Sequence, residues 1–207
     1  MTLQDNTSPD NTSPDNTRSL SSRVKLLDYE MAKLKANEVE VMDVMCKLNI
    51  FKALLNYKEL AGAINKLIFT LLFEGKLSHR ERELIILRVG WQRKSDYEWT
   101  QHYTIAKNFG VDEGSIVALR DWENSDKFSE KERILLLATD EVLDLGFITE
   151  ATFNSLKSFY RDSDNEDGIM IEIVSVIGVW QLVATILLSL DIKLEEDIVS
   201  WPPEGIR

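Results

Sequence analysis

Apolar residues in this chain recur at spacings of three and four, and nowhere in a sustained run at a spacing of two. A strand buries every second residue, whereas a helix buries one face through the i, i+3, i+4 pattern. Val24, Leu27, Met31 and Leu34 read as one helix face, and Val41, Val44, Met45 and Leu48 continue the pattern. A further apolar run, from Phe51 to Phe73, stops near Gly75, which reads as a C-terminal cap. The chain is therefore predicted to be all-α, with elements bounded by capping signals.

Those signals are local and specific. Ser78 followed by Glu81 is a capping box, and it opens a helix carrying Leu84, Ile85, Leu87 and Arg88 to about Trp91. Ser95 or Asp96 starts the next helix, which ends at Gly110, and Asp112 caps a short helix through Leu119. Ser129 with Glu132 is a second capping box, its helix ending at Gly146, and Thr149 caps a helix to about Tyr160. The acidic stretch from Asp162 to Gly168 lacks the glycine and glutamate spacing of a calcium loop and reads as a polar connection. A last long helix runs from about Ile169 to Leu190. It is 22 residues long and strongly apolar, but Glu172 and Gln181 interrupt it and it has no basic flank. A carboxylate is costly within lipid, so a core or interface helix is expected in place of a membrane span.

The 207 residues suffice for one domain with its own core. Residues 1–18 hold a five-residue repeat, Asp5-Asn6-Thr7-Ser8-Pro9 and its copies, with nothing apolar to bury; this segment is expected to be a disordered tail. Residues 19–207 are expected to form a single helical domain of about seven to nine helices. A net charge of -11 repels phosphate backbones and anionic lipid, so neither nucleic acid nor membrane is expected as a partner. No basic and apolar leader opens the chain, and a cytoplasmic location is expected; the Asn6-Thr7-Ser8 and Asn11-Thr12-Ser13 sequons then read as accidents of composition. The one cysteine, Cys46, lies among apolar neighbours and is expected to be a buried small hydrophobe.

One constellation could carry chemistry. Glu98 and His102 are four apart, so on a helix they share a face and can hydrogen-bond. Glu83 lies on the preceding helix beside core-like Leu84 and Leu87, and antiparallel packing would let it join them. Trp91, Tyr97, Trp99 and Tyr103 cluster around these groups. Such a set suits a pocket for a small organic molecule; spacing alone favours aromatic core residues with a surface Glu–His pair. One histidine with two carboxylates could also hold a divalent ion, although a hydrogen-bonded cluster explains them with fewer assumptions, and neither metal nor cofactor is expected.

The run LSHRERELIILRVGWQRKSDYEWTQHYTIAKNFGVDEGSI resembles the core of the carboxymuconolactone decarboxylase family, which includes the alkylhydroperoxidase-D-like proteins. The resemblance rests on Leu-x-x-Arg-Glu-Arg-Glu-Leu on one helix and Tyr-Glu-Trp-x-x-His on the next, and extends from about Val39 to Leu194. It implies an alkylhydroperoxidase-D-like helical fold and a homo-oligomer: dimer, trimer or hexamer. Peroxidase relatives carry cysteines seven and four residues before the histidine; here those positions are Ser95 and Glu98, so a dithiol redox cycle is not expected. Glu83 matches the family's helix glutamate and His102 its histidine. The decarboxylase members also lack the cysteine pair. By that resemblance the chain is expected to be a cofactor-independent lyase or isomerase acting on a small unsaturated lactone or carboxylic acid. His102 would move a proton, Glu98 would orient it and Glu83 would tune its charge. Arg88 would neutralise a carboxylate or enolate, or form a structural salt bridge, while Trp91, Tyr97, Trp99 and Trp180 would shape the pocket. The other expectations are a non-catalytic assembly protein, with the last helix and Trp180 between subunits, and a residual peroxidase-type activity.

Overall fold

The computed structural model describes residues 21–201, and the repeat-bearing tail expected over residues 1–18 lies outside them. Among the described residues there are nine α-helices and no strand. They are α1 (Tyr29–Asn37), α2 (Asn49–Leu54), α3 (Lys58–Phe69), α4 (His79–Arg93), α5 (Asp96–Asn108), α6 (Glu113–Ala118), α7 (Glu130–Leu145), α8 (Glu150–Ser158) and α9 (Glu166–Ser189). A π-helical turn, Thr70–Glu74, continues α3.

Both predicted capping boxes form: the Ser78 and Ser129 hydroxyls accept from the N–H of Glu81 and Glu132, whose carboxylates take the serine N–H in return. Asp112 and Thr149 cap α6 and α8 in the same sense. Asn165 accepts from the Gly168 N–H and starts α9 three residues before the apolar run begins. The N-terminal third departs from expectation. The Met31 and Leu34 side chains are exposed, and α1 faces the core with Ala32 and Ala36. The run from Phe51 is broken at Leu55–Tyr57, where the Asn56 side-chain amide donates to the Lys25 and Ala53 carbonyls and competes with the helix ladder.

The helix α4 is the axle of the fold. Every residue from Glu81 to Gly90 is buried, because α5, α7 and α9 pack around it. Helices α3, α4, α7 and α9 share the larger core, and α4 with α5, α6 and α7 encloses a second one centred on Trp99. Burying a helix on all sides demands partners for its charged residues. Arg88 lies against Asp140 of α7, with Nε and Nη2 donating to the two carboxylate oxygens at 2.7 and 2.8 Å, and its Nη1 donates to the Leu119 carbonyl.

Glu172, the carboxylate that interrupts the apolar run of α9, accepts the backbone N–H of Lys76 at 2.7 Å and of Leu77 at 3.2 Å, fixing the entry to α4. Gly75 makes this possible. It caps the π-helical turn, as the sequence suggests, with an extended backbone, and a Cβ there would lie 2.1 Å from Glu172 Oε1. The helix Glu166–Ser189 is long and apolar enough to cross a membrane, yet half of its most apolar window is buried within this fold.

Candidate active site

Three helices bring the site together. Gly90 lets α4 and α5 approach closely: a Cβ there would sit 3.3 Å from the Trp99 nitrogen. Glu83 of α4 and His102 of α5 therefore meet, with His102 Nδ1 and Glu83 Oε2 2.8 Å apart. From α9, Trp180 Nε1 donates to His102 Nε2 at 3.0 Å. An indole N–H can only donate, so Nε2 is the acceptor. We assign the ring as the Nδ1–H tautomer, donating to Glu83, on this hydrogen-bond pattern.

Glu98 stands one turn before His102 but makes no bond to it. Both its carboxyl oxygens are buried without a hydrogen-bond partner, and burial pushes this carboxyl well above the usual carboxylate range. The expectation that Glu98 orients the imidazole is thus corrected: Glu83 and Trp180 orient it. An i,i+4 spacing permits a contact, but packing against α4 and α9 offered the histidine better ones.

Glu98 and His102 line a cleft of about 290 Å³ between α5, α9, α2 and the α3–π-turn segment. Its walls are largely apolar, with Met45, Leu48, Phe51, Phe69, Leu72 and Phe73 among them. Tyr97 and Trp180 line it, and Trp180 is buried, not on an outward face of α9. Trp91 and Trp99 do not line it. Trp99 is fully buried in the second core and stacks with Trp201, while Trp91 packs on Trp99 under the Arg120 guanidinium. Arg88 is also absent from the lining, committed to Asp140 and Leu119. Of its two sequence readings, the structural salt bridge is the one observed.

Residues that sequence reasoning missed complete the site. Gln101 Nε2 and the Tyr97 hydroxyl both donate to Glu195, each at 2.6 Å, and Glu195 also accepts the Asn49 N–H at 2.7 Å. Burial and the adjacent Glu195 carboxylate hold the Tyr97 phenol well above its ordinary range. Gln101 lay beside the candidate histidine, but nothing local marks Glu195, whose partners are almost a hundred or more residues away. At the family's other cysteine position, Ser95 is buried with an unpartnered hydroxyl. Cys46 is buried, does not line the cleft, and its thiol is pushed up by burial. Among the described residues no group of three or more His, Cys, Asp or Glu is placed to hold a metal ion.

Comparison with known proteins follows the same lines. Residues 58–141 match the carboxymuconolactone decarboxylase family, a segment that holds α3 to α7 up to Glu141 and so includes Glu83, Glu98 and His102. No curated protein matches the sequence. Among solved structures, an uncharacterised peroxidase-related protein from Ralstonia eutropha JMP134, described as an alkylhydroperoxidase AhpD core, is 17% identical, with a TM-score of 0.70 over 85% of this chain and 93% of that one. A peroxidase-related protein from Silicibacter sp. TM1040 is 19% identical, with a TM-score of 0.67 over 96% of this chain and 100% of that one. The debrominase Bmp8, as a cysteine-to-alanine variant in complex with 2,3,4-tribromopyrrole, is 16% identical, with a TM-score of 0.65 over 88% of this chain and 95% of that one. At these identities the likeness is one of fold. Residues 58–141 thus match the carboxymuconolactone decarboxylase family within an AhpD-like fold, and the single cysteine lies outside the cleft.

Proposed function

We propose that this protein is a cofactor-independent lyase or isomerase that moves protons on a small unsaturated molecule held in the cleft. The observation that carries this reading is the juxtaposition of two unlike groups one helical turn apart: a buried, unpartnered Glu98 carboxyl and a His102 ring held by Glu83. Environments that separate an acid from a base in this way are how one site runs both halves of a proton transfer. Glu98 enters as a neutral acid and donates to a carbonyl oxygen conjugated with the reacting carbon. His102 takes a proton from that carbon at Nε2, releasing the Trp180 bond, and Glu83 on Nδ1 stabilises the imidazolium. Returning the proton to a different carbon completes an isomerisation. If a carboxyl leaves instead, the C–C bonding pair passes into the conjugated carbonyl, carbon dioxide departs, and a proton is delivered to the carbon.

Small lactones, which are neutral, and keto acids, which are anionic, are the substrates to screen. Turnover should fall by about a hundredfold or more in folded His102→Ala, in line with loss of a general base. Turnover retained in that variant would remove His102 from the mechanism.

A second reading, an assembly role, draws on the outward face of α9, where Ile171, Val174 and Leu182 are exposed. Exposed apolar residues along one helix suit packing against another copy of the chain, and this is compatible with catalysis in a homo-oligomer.

A further inference from the structure

We infer that the cleft selects an uncharged, flat, unsaturated ligand that presents a hydrogen-bond acceptor to Glu98, and that it rejects carboxylates. This rests on the cleft being the ligand site proposed above, and it narrows the substrate class to the lactone or ketone side of that reading.

The polar groups of the lining are almost all spoken for. The Tyr97 hydroxyl and the Gln101 amide N–H are held by Glu195, and both His102 nitrogens are held by Glu83 and Trp180. The Asn65 carboxamide and the Glu98 carboxyl remain, the latter with two oxygens buried and no partner. No lysine or arginine is among the lining residues. Arg88, the nearest expectation for an anion grip, is saturated by Asp140 and the Leu119 carbonyl.

A carboxylate entering this space would lose its hydration without gaining a cation, and would lie close to the His102–Glu83 pair. That is an unpaired buried charge, the most costly way to fill an apolar site. A neutral acceptor has the opposite fate: the Glu98 carboxyl, turned into the cleft by rotation of its side chain, gains the partner it lacks. Shape is set by Phe51, Phe69, Phe73, Tyr97 and Trp180, whose rings favour stacked or edge contacts with another planar system. A volume of about 290 Å³ suits a one- or two-ring molecule. The debrominase that shares the fold is solved with tribromopyrrole, a small ring without a carboxylate, which is consistent with this class without assigning that ligand here.

The test uses two probes of matched shape, acetylnaphthalene and naphthoate, in which a methyl replaces a carboxylate oxygen. Titration calorimetry on the full chain at neutral pH should show the ketone binding about tenfold or more tighter than the anion, as expected when a charge is buried unpaired. Glu98→Gln, which keeps a donor, should hold ketone affinity within about threefold; Glu98→Leu, folded by circular dichroism, should weaken it by about fivefold to tenfold, the span of one lost hydrogen bond. Naphthoate binding equal to or tighter than the ketone, or no binding of either probe, would overturn the inference. Selective ketone binding without His102-dependent turnover of any neutral substrate would uphold it and sink the catalytic reading. His102-dependent turnover of an anionic acid would do the reverse.

Discussion

Glu98 is the residue on which most depends, and its burial has a measurable consequence for folding. A carboxyl whose folded pKa is raised binds its proton more tightly in the native state than in the unfolded chain. The native state therefore loses stability as pH rises from the unfolded carboxyl value, about 4.3, towards the folded one, by up to about 1.4 kcal/mol per pH unit. Below the unfolded value the penalty is gone. Urea unfolding of the wild type and Glu98→Gln across this range should show that declining contribution in the difference between them, and a difference independent of pH would contradict the burial argument. His102 offers a second check. With Trp180 donating to Nε2, nitrogen NMR of the neutral ring should show a protonated Nδ1 and a bare Nε2, and Trp180→Phe should loosen that preference and cost about 0.5–1.5 kcal/mol of stability.

At the level of elements, α4 is held at its start by Glu172 and along its length by Asp140. Gly75→Ala would drive a methyl into the Glu172 carboxylate, and backbone or helix must shift; a loss of about 1–3 kcal/mol in chemical denaturation is expected. Arg88→Ala would leave Asp140 with only the neutral donors Trp122 and Gln92, and a loss of about 3–5 kcal/mol is expected, without a change in ligand affinity of the folded protein. These elements also show why legibility in the sequence was uneven. Ser78–Glu81 and Ser129–Glu132 could be read because a capping box is closed within four residues. The buried face of α1 could not, because Ala32 and Ala36 suit the tight contact better than the larger Met31 and Leu34, and only the packed fold reveals that contact. The partner of His102 was legible as a choice between Glu83 and Glu98, and tertiary packing made the choice.

For the whole molecule, the helical class was readable because the 3.6-residue pattern is a local feature, and the segment around His102 stood out for the same reason. The cleft itself was not, since its walls come from α2, the π-turn after α3, α5 and α9, and its latch, Glu195, follows the last helix. The outward apolar stripe of α9 bears on assembly at this scale. Paired Ile171→Glu and Leu182→Glu substitutions are expected to reduce the mass seen by light scattering to that of a monomer, and an unchanged mass would remove α9 from any interface. The proposed catalysis turns on Glu98 acting as a neutral acid beside His102 in an apolar cleft. Difference infrared spectroscopy of the wild type minus Glu98→Gln at neutral pH tests this most directly. A deuterium-sensitive carbonyl stretch of a protonated carboxylic acid is the predicted signal; a carboxylate stretch in its place would show Glu98 ionised and contradict the acid–base assignment.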